Sequence, residues 1–195
     1  MRVKLALEDQ MTIEEFLAFT DTRPDEERWE LIEGVPVMNA APAEFHQVIA
    51  GNILFSLMAS KLRLGASWMP MIGVGTRVPL SPNSLPQPDA FVKQGAPTDR
   101  PLTDDALVLF EVLSKSNTKA DQAWRKRVYA SVPNCQHYVT VAQGKVDVVR
   151  YDRADGWKGT PLVNLTDRLA LSALGADVAI PLAEIYRWTP LAPTT

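Results

Sequence analysis

One cysteine, Cys135, and two histidines, His46 and His137, are all the thiol and imidazole groups in this 195-residue chain. No intramolecular disulfide can form, which suits a reducing compartment and sets the expectation of a cytoplasmic protein. Two separated histidines and one thiol are too few for a structural zinc site. No apolar run approaches the roughly 20 residues that span a bilayer, so no membrane partner is expected. Met1 to Gln10 alternates charged and apolar residues and lacks the continuous apolar stretch of a secretory signal. A glycine-rich phosphate loop is missing too, because Gly73 and Gly75 lack a following helix and lysine. Positive charge is not in excess: the net charge is −3. No global field favours nucleic acid, so any such function must rest on a local site.

What is present is an ordinary globular composition, 46% hydrophobic and 22% charged. The length fits one domain able to bury a full core without disulfides. Thr12-Ile13-Glu14-Glu15 has the spacing of a capping box and opens a short amphipathic helix through Ile13, Phe16 and Leu17. Trp29 to Met38 reads as a hairpin turning at Glu33-Gly34, with Pro36 arguing for an edge strand. Ala43 to Leu64 is the strongest helix, with Phe45, Val48, Ile49, Ile53, Leu54, Leu57, Met58 and Leu62 at helical spacing and Gly65 as its stop. Short strands follow at Asp89 to Lys93 and Ala106 to Leu113, then a helix at Lys119 to Ser131. His137 to Ala142 and Lys145 to Tyr151 form a second hairpin. This order predicts an α/β or α+β sandwich with a mixed sheet.

Glu111 is the anomaly in that pattern. It stands in Leu107-Val108-Leu109-Phe110-Glu111-Val112-Leu113, a strand apolar enough to be covered on both faces. Alternation puts it on the face of Leu109 and Leu113. A carboxylate there must be paired, protonated, hydrogen-bonded or bound to a cation. Asp89 follows Pro88 at the start of another strand, 22 positions earlier. Singly it reads as a turn aspartate. Together the two can meet at one sheet edge and offer the hard oxygen ligands that suit Mg²⁺ or Mn²⁺.

Pro88-Asp89 followed by Glu111-Val112-Leu113-Ser114 resembles the PD-(D/E)XK nuclease superfamily, and in particular a bacterial family of "putative restriction endonuclease" proteins abundant in cyanobacteria. The resemblance runs from about Thr12 to Trp157. It is carried by Met11 to Phe16, Trp29 to Gly34, His46-Gln47, Pro88-Asp89, Phe110 to Ser114, Asp121 with Tyr129, and Val132-Pro133 leading into His137-Tyr138-Val139. It implies a restriction-endonuclease-like mixed β-sheet core flanked by helices. Residues 1–195 would then form one such domain, with 160–195 a C-terminal extension packed on or beside it. The implied activity is metal-dependent hydrolysis of DNA phosphodiesters. Asp89 and Glu111 would hold Mg²⁺ or Mn²⁺, with the Val112 carbonyl as a further ligand. Glu30 would be an outer ligand or orient a bound water, and His46 would lie near the site.

One position departs from the superfamily pattern. The lysine of the motif falls at Leu113. In the family it sits instead on the following helix, four residues after an Asp and four before a Tyr. Asp121 and Tyr129 match, but the middle residue is Arg125, with Lys126 beside it. Arginine keeps its charge and can fork onto phosphate, yet cannot serve as a base at neutral pH. Either Arg125 stabilises charge, or Lys126 takes its place, or activity is weakened. An Asp121–Arg125 pair along the helix is the bland alternative. Lys115, Lys119, Arg125, Lys126 and Arg127 can track a phosphate backbone or form a solvated face, and Trp124 among them reads first as core. Two further readings stay open: a non-catalytic module binding nucleic acid or a protein partner, and hydrolysis of another phosphodiester. The apolar segment around Leu182, Ile185, Tyr186 and Trp188 adds an expectation of a homodimer.

Overall fold

The computed structural model describes residues 10–24, 26–114 and 117–192. The signal-peptide reading of Met1 to Gln10 falls almost wholly outside the described residues, as does Lys115.

The first helix, α1 (Ile13–Thr20), starts at the predicted capping box: Glu15 N–H donates to the Thr12 hydroxyl at 3.2 Å, and Thr12 N–H to the Glu15 carboxylate at 2.8 Å. Its buried Ile13 and Phe16 pack on Leu31 and Leu85. Leu31 belongs to a hairpin of β1 (Arg28–Ile32) and β2 (Val35–Asn39). The turn residues Glu33 and Gly34 both have positive φ, 50° and 78°, the turn geometry that matches the twist of the flanking strands. Pro36 lies on β2, whose only strand partner among the described residues is β1.

A six-stranded mixed sheet forms the centre. It contains β3 (Met69–Met71), β5 (Ala90–Lys93), β7 (Ala106–Leu113), β8 (His137–Ala142), β9 (Val148–Asp152) and β10 (Lys158–Leu162), in the order β10-β9-β8-β7-β5-β3. A short parallel pair, β4 (Gly75–Thr76) and β6 (Leu102–Thr103), stands apart from it. Only β7 and β8 run parallel within the sheet, joined through α3 (Lys119–Tyr129) as a parallel pair requires. The near-continuous apolar run of β7 is explained by its interior place. On one face Val108, Phe110 and Val112 pack with Ile49, Ile53 and Leu57 of α2 (Glu44–Leu64). On the other Leu109 packs with Val128 and Tyr129 of α3 and with Tyr138. The result is the mixed-sheet sandwich expected from the sequence.

Not all the apolar residues at helical spacing on α2 are covered: Phe45, Met58 and Leu62 are exposed, Leu62 at 81%. Ile49, Ile53 and Leu57, spaced by four, carry the packing. The C-terminal segment packs on the same sandwich. β10 is the outer strand of the sheet, and a hairpin of β11 (Arg168–Ala170) and β12 (Ala179–Pro181) leads into α4 (Leu182–Ile185). Leu182, Ile185 and Tyr186 are fully buried in the α2-side core, so they are not the dimer surface that the sequence suggested; of that group only Trp188 is exposed. The buried Asn52 of α2 donates to the carbonyls of Ile185 and Arg187, at 3.1 and 2.8 Å. His137 ties down the same region, its ring accepting from the Ala173 N–H at 3.2 Å. Among the described residues no helix is long and apolar enough to cross a membrane.

Asn52→Ala removes both donors and leaves two carbonyls short of partners. Chemical denaturation is expected to show a loss of about 2 kcal/mol.

Candidate functional site

β5 begins only at Ala90, which pairs with Phe110 of β7. Beyond that point β7 has no β5 partner, and the side chain of Asp89 fills the vacancy in the ladder. Asp89 N–H donates to the Phe110 carbonyl at 3.0 Å, and its Oδ2 accepts from the Val112 N–H at 2.7 Å. The antiparallel register therefore brings Asp89 beside Glu111. The meeting place is the end of two interior strands. His46, near the start of α2, fixes the other oxygen: its Nε2 lies 3.0 Å from Asp89 Oδ1. His46 faces inward, with a side chain 12% exposed.

Glu111 lies on the α3 side of β7. Its Oε1 accepts from the Tyr129 hydroxyl at 2.8 Å and from Arg125 Nη1 at 3.0 Å. Its Oε2 accepts no hydrogen bond among the described residues. Burial pushes the Glu111 carboxyl up to about 8, with Arg125 opposing the shift and Asp89 and Glu30 adding to it. The same surroundings push the Tyr129 hydroxyl well above its ordinary range, chiefly through burial. Arg125 is the hub. Its Nη2 and Nη1 also reach the two oxygens of Glu30, at 2.7 and 3.0 Å, so one guanidinium forks onto one carboxylate and touches a second. Glu30 accepts in addition from the Gln87 N–H at 2.6 Å and the Asn39 side chain at 3.1 Å.

The structure thus brings Glu30, His46, Asp89, Glu111, Val112 and Arg125 to one cavity of about 360 Å³. Lys126 does not join them. It lies a helical step of about 100° further round α3, and its ammonium sits 4.6 Å from the centre of the Tyr151 ring. Lys126 therefore does not take the place of Arg125. Asp121 caps α3, accepting from the Thr118 hydroxyl at 2.6 Å, while Arg125 turns inward to Glu30 and Glu111. Trp124 packs on the α3-side core as predicted, with its indole N–H 3.2 Å from Glu33. Lys119 and Arg127 are exposed. Sequence reasoning missed Asn39 and Gln87. Neither carries a signal of its own, since both act only by orienting Glu30.

Among the described residues no group of three or more His, Cys, Asp and Glu side chains could hold an ion by itself. Mg²⁺ does not require such a group: it keeps several waters and is commonly held through one or two carboxylates. The donor set of Asp89, Glu111 with its unpartnered Oε2, and the neighbouring main chain fits that kind of ion.

Two outcomes follow for the purified protein in chelator. Glu111 holds its proton more tightly in the folded chain than the unfolded chain would. The folded state therefore binds more protons between the ordinary glutamate range and about pH 8. Stability conferred by Glu111 is full at low pH and declines as pH rises through that window. The wild-type minus Glu111→Gln difference in unfolding free energy should fall accordingly; a flat difference would contradict the burial argument. Arg125→Ala leaves Glu30 buried without its cation. It should cost about 3–5 kcal/mol at neutral pH.

No curated protein matches the chain. Among the solved structures, a protein of Anabaena variabilis described as "a putative nuclease belonging to DUF820" is similar in fold, with a TM-score of 0.73. The two share 12% identity over 91% of this chain and 98% of that one, a likeness of fold alone. The family profile of Uma2, described as "Putative restriction endonuclease", matches residues 13–183. With nearly the whole described chain inside that match and the nuclease-type fold around it, this protein belongs to the Uma2 family.

Proposed function

We propose that the chain is a Mg²⁺- or Mn²⁺-dependent endonuclease that hydrolyses DNA phosphodiesters at the Asp89–Glu111 cavity. The observation that carries the reading is the convergence of two carboxylates, one just before β5 and one on β7, each held by its own hydrogen bonds, beside a buried arginine. Asp89 and Glu111 would hold the ion, with the Val112 carbonyl as a further ligand. When bound, the ion would polarise a phosphoryl oxygen and lower the pKa of a water. The chain's own residues supply the rest. His46 and the Val112 N–H fix the Asp89 carboxylate, and Tyr129 fixes Glu111. Arg125 sets positive charge where negative charge develops on the phosphoryl group. It stays protonated throughout, so the proton of the attacking water does not go to it.

A second reading has a specific observation behind it. Arg125 is fully engaged with Glu30 and Glu111, and it stands where the family carries a lysine. A weakened or inactive module that binds nucleic acid, or a protein partner, would tolerate an arginine committed in that way.

Incubation of the protein with plasmid, single-stranded and branched DNA separates the two. The nuclease reading predicts cutting that needs Mg²⁺ or Mn²⁺ and stops with chelator. Asp89→Ala should lower the rate at least about a hundredfold while the fold persists, as seen by circular dichroism. Salt-sensitive binding of the same DNA without any cutting would establish the second reading instead.

A further inference from the structure

Acidic side chains outnumber basic ones around the cavity. Glu30, Asp89 and Glu111 face Arg125, whose guanidinium is already divided between Glu30 and Glu111. Among the described residues one other lysine or arginine lines the same cavity, and it is Arg28. Arg28 stands two residues before Glu30 on β1, so strand alternation turns both side chains to one face. Its partner across the hairpin is Asn39, whose amide already reaches Glu30. Unlike Arg125, Arg28 is exposed, and it makes no hydrogen bond or ion pair among the described residues.

We propose that Arg28 binds the phosphate backbone of the substrate, seating the strand on the β1–β2 hairpin beside Asp89 and Glu111. This rests on the nucleic-acid reading above. A guanidinium matches two phosphate oxygens with parallel N–H donors, which an ammonium cannot reproduce. Arg28 can make that contact without breaking an internal pair, whereas Arg125 would have to release Glu30 or Glu111. A polyanion approaching Glu30 and Asp89 is also helped by a cation at the mouth, and Arg28 stands there.

The test measures the affinity of wild type, Arg28→Ala and Arg28→Lys for a fluorescent DNA oligonucleotide across a salt series, with Ca²⁺ present to hold back turnover. Arg28→Ala should flatten the log–log salt dependence by about 0.9 on duplex DNA, or about 0.7 on a single strand. That corresponds to a loss of about eightfold in duplex affinity at 0.1 M salt. Arg28→Lys should keep the slope and recover part of the affinity. Arg100→Ala, which removes the same charge away from the cavity, should change neither. If wild type cuts, Arg28→Ala should raise KM more than it lowers kcat. A wild-type slope retained in Arg28→Ala overturns the proposal, whether or not the protein cuts. Binding and the slope change without cutting leave Arg28 in this role and remove only the catalytic reading. A wild type that neither binds nor cuts DNA overturns both.

Discussion

Arg125 holds three parts of the molecule to one point. Its guanidinium reaches from α3 to Glu30 on the β1–β2 hairpin and to Glu111 on the central strand. A charge cluster of this kind is expensive to bury. Two glutamates and an arginine give up most of their hydration, and their mutual attraction offsets that cost only when the geometry is good and the remaining lone pairs are served. Here they are served. Gln87 and Asn39 donate to Glu30, and Tyr129 donates to Glu111. An apolar core of the same volume could stabilise the sandwich as well, so the cluster is better understood as a site than as a fastening.

The site exists because of a gap in the sheet. β5 starts one residue after Asp89, and β7 continues past it. A polar backbone left open at that place must find partners. Asp89 satisfies the Val112 N–H with a side-chain oxygen, which fixes the carboxylate without help from a longer strand. His46 on α2 then clamps the other oxygen. One carboxylate is thus referenced to the α2 face and the other, Glu111, to the α3 face. The cavity lies where the two layers open, and a small rearrangement of either helix would alter the distance between the acids.

Much of this was legible in the residues. Glu111 inside an apolar strand announces a buried charge, and its alternation with Leu109 gives the correct face. The capping box at Thr12 and the Glu33-Gly34 turn follow from local chemistry alone, and the structure has both. The choice between Arg125 and Lys126 was not legible. Adjacent positions on a helix differ by about 100°, and only the position of Tyr151 shows which side chain has an alternative place to go. The C-terminal segment misled for a related reason. Leu182, Ile185 and Tyr186 look like an exposed apolar surface until α2 is seen to cover them, a contact between residues more than 100 positions apart. Asn39 and Gln87 are invisible to sequence reasoning because orienting a carboxylate demands only an N–H in the right place.

In the proposed function Asp89 and Glu111 form a divalent-ion site beside Arg125. Titration of Mn²⁺ into the chelator-stripped protein, followed by calorimetry or electron paramagnetic resonance, tests it directly. Wild type should show a saturable Mn²⁺ site that disappears in Asp89→Ala. Equal Mn²⁺ binding by the two proteins, or none by wild type with or without DNA, would contradict it.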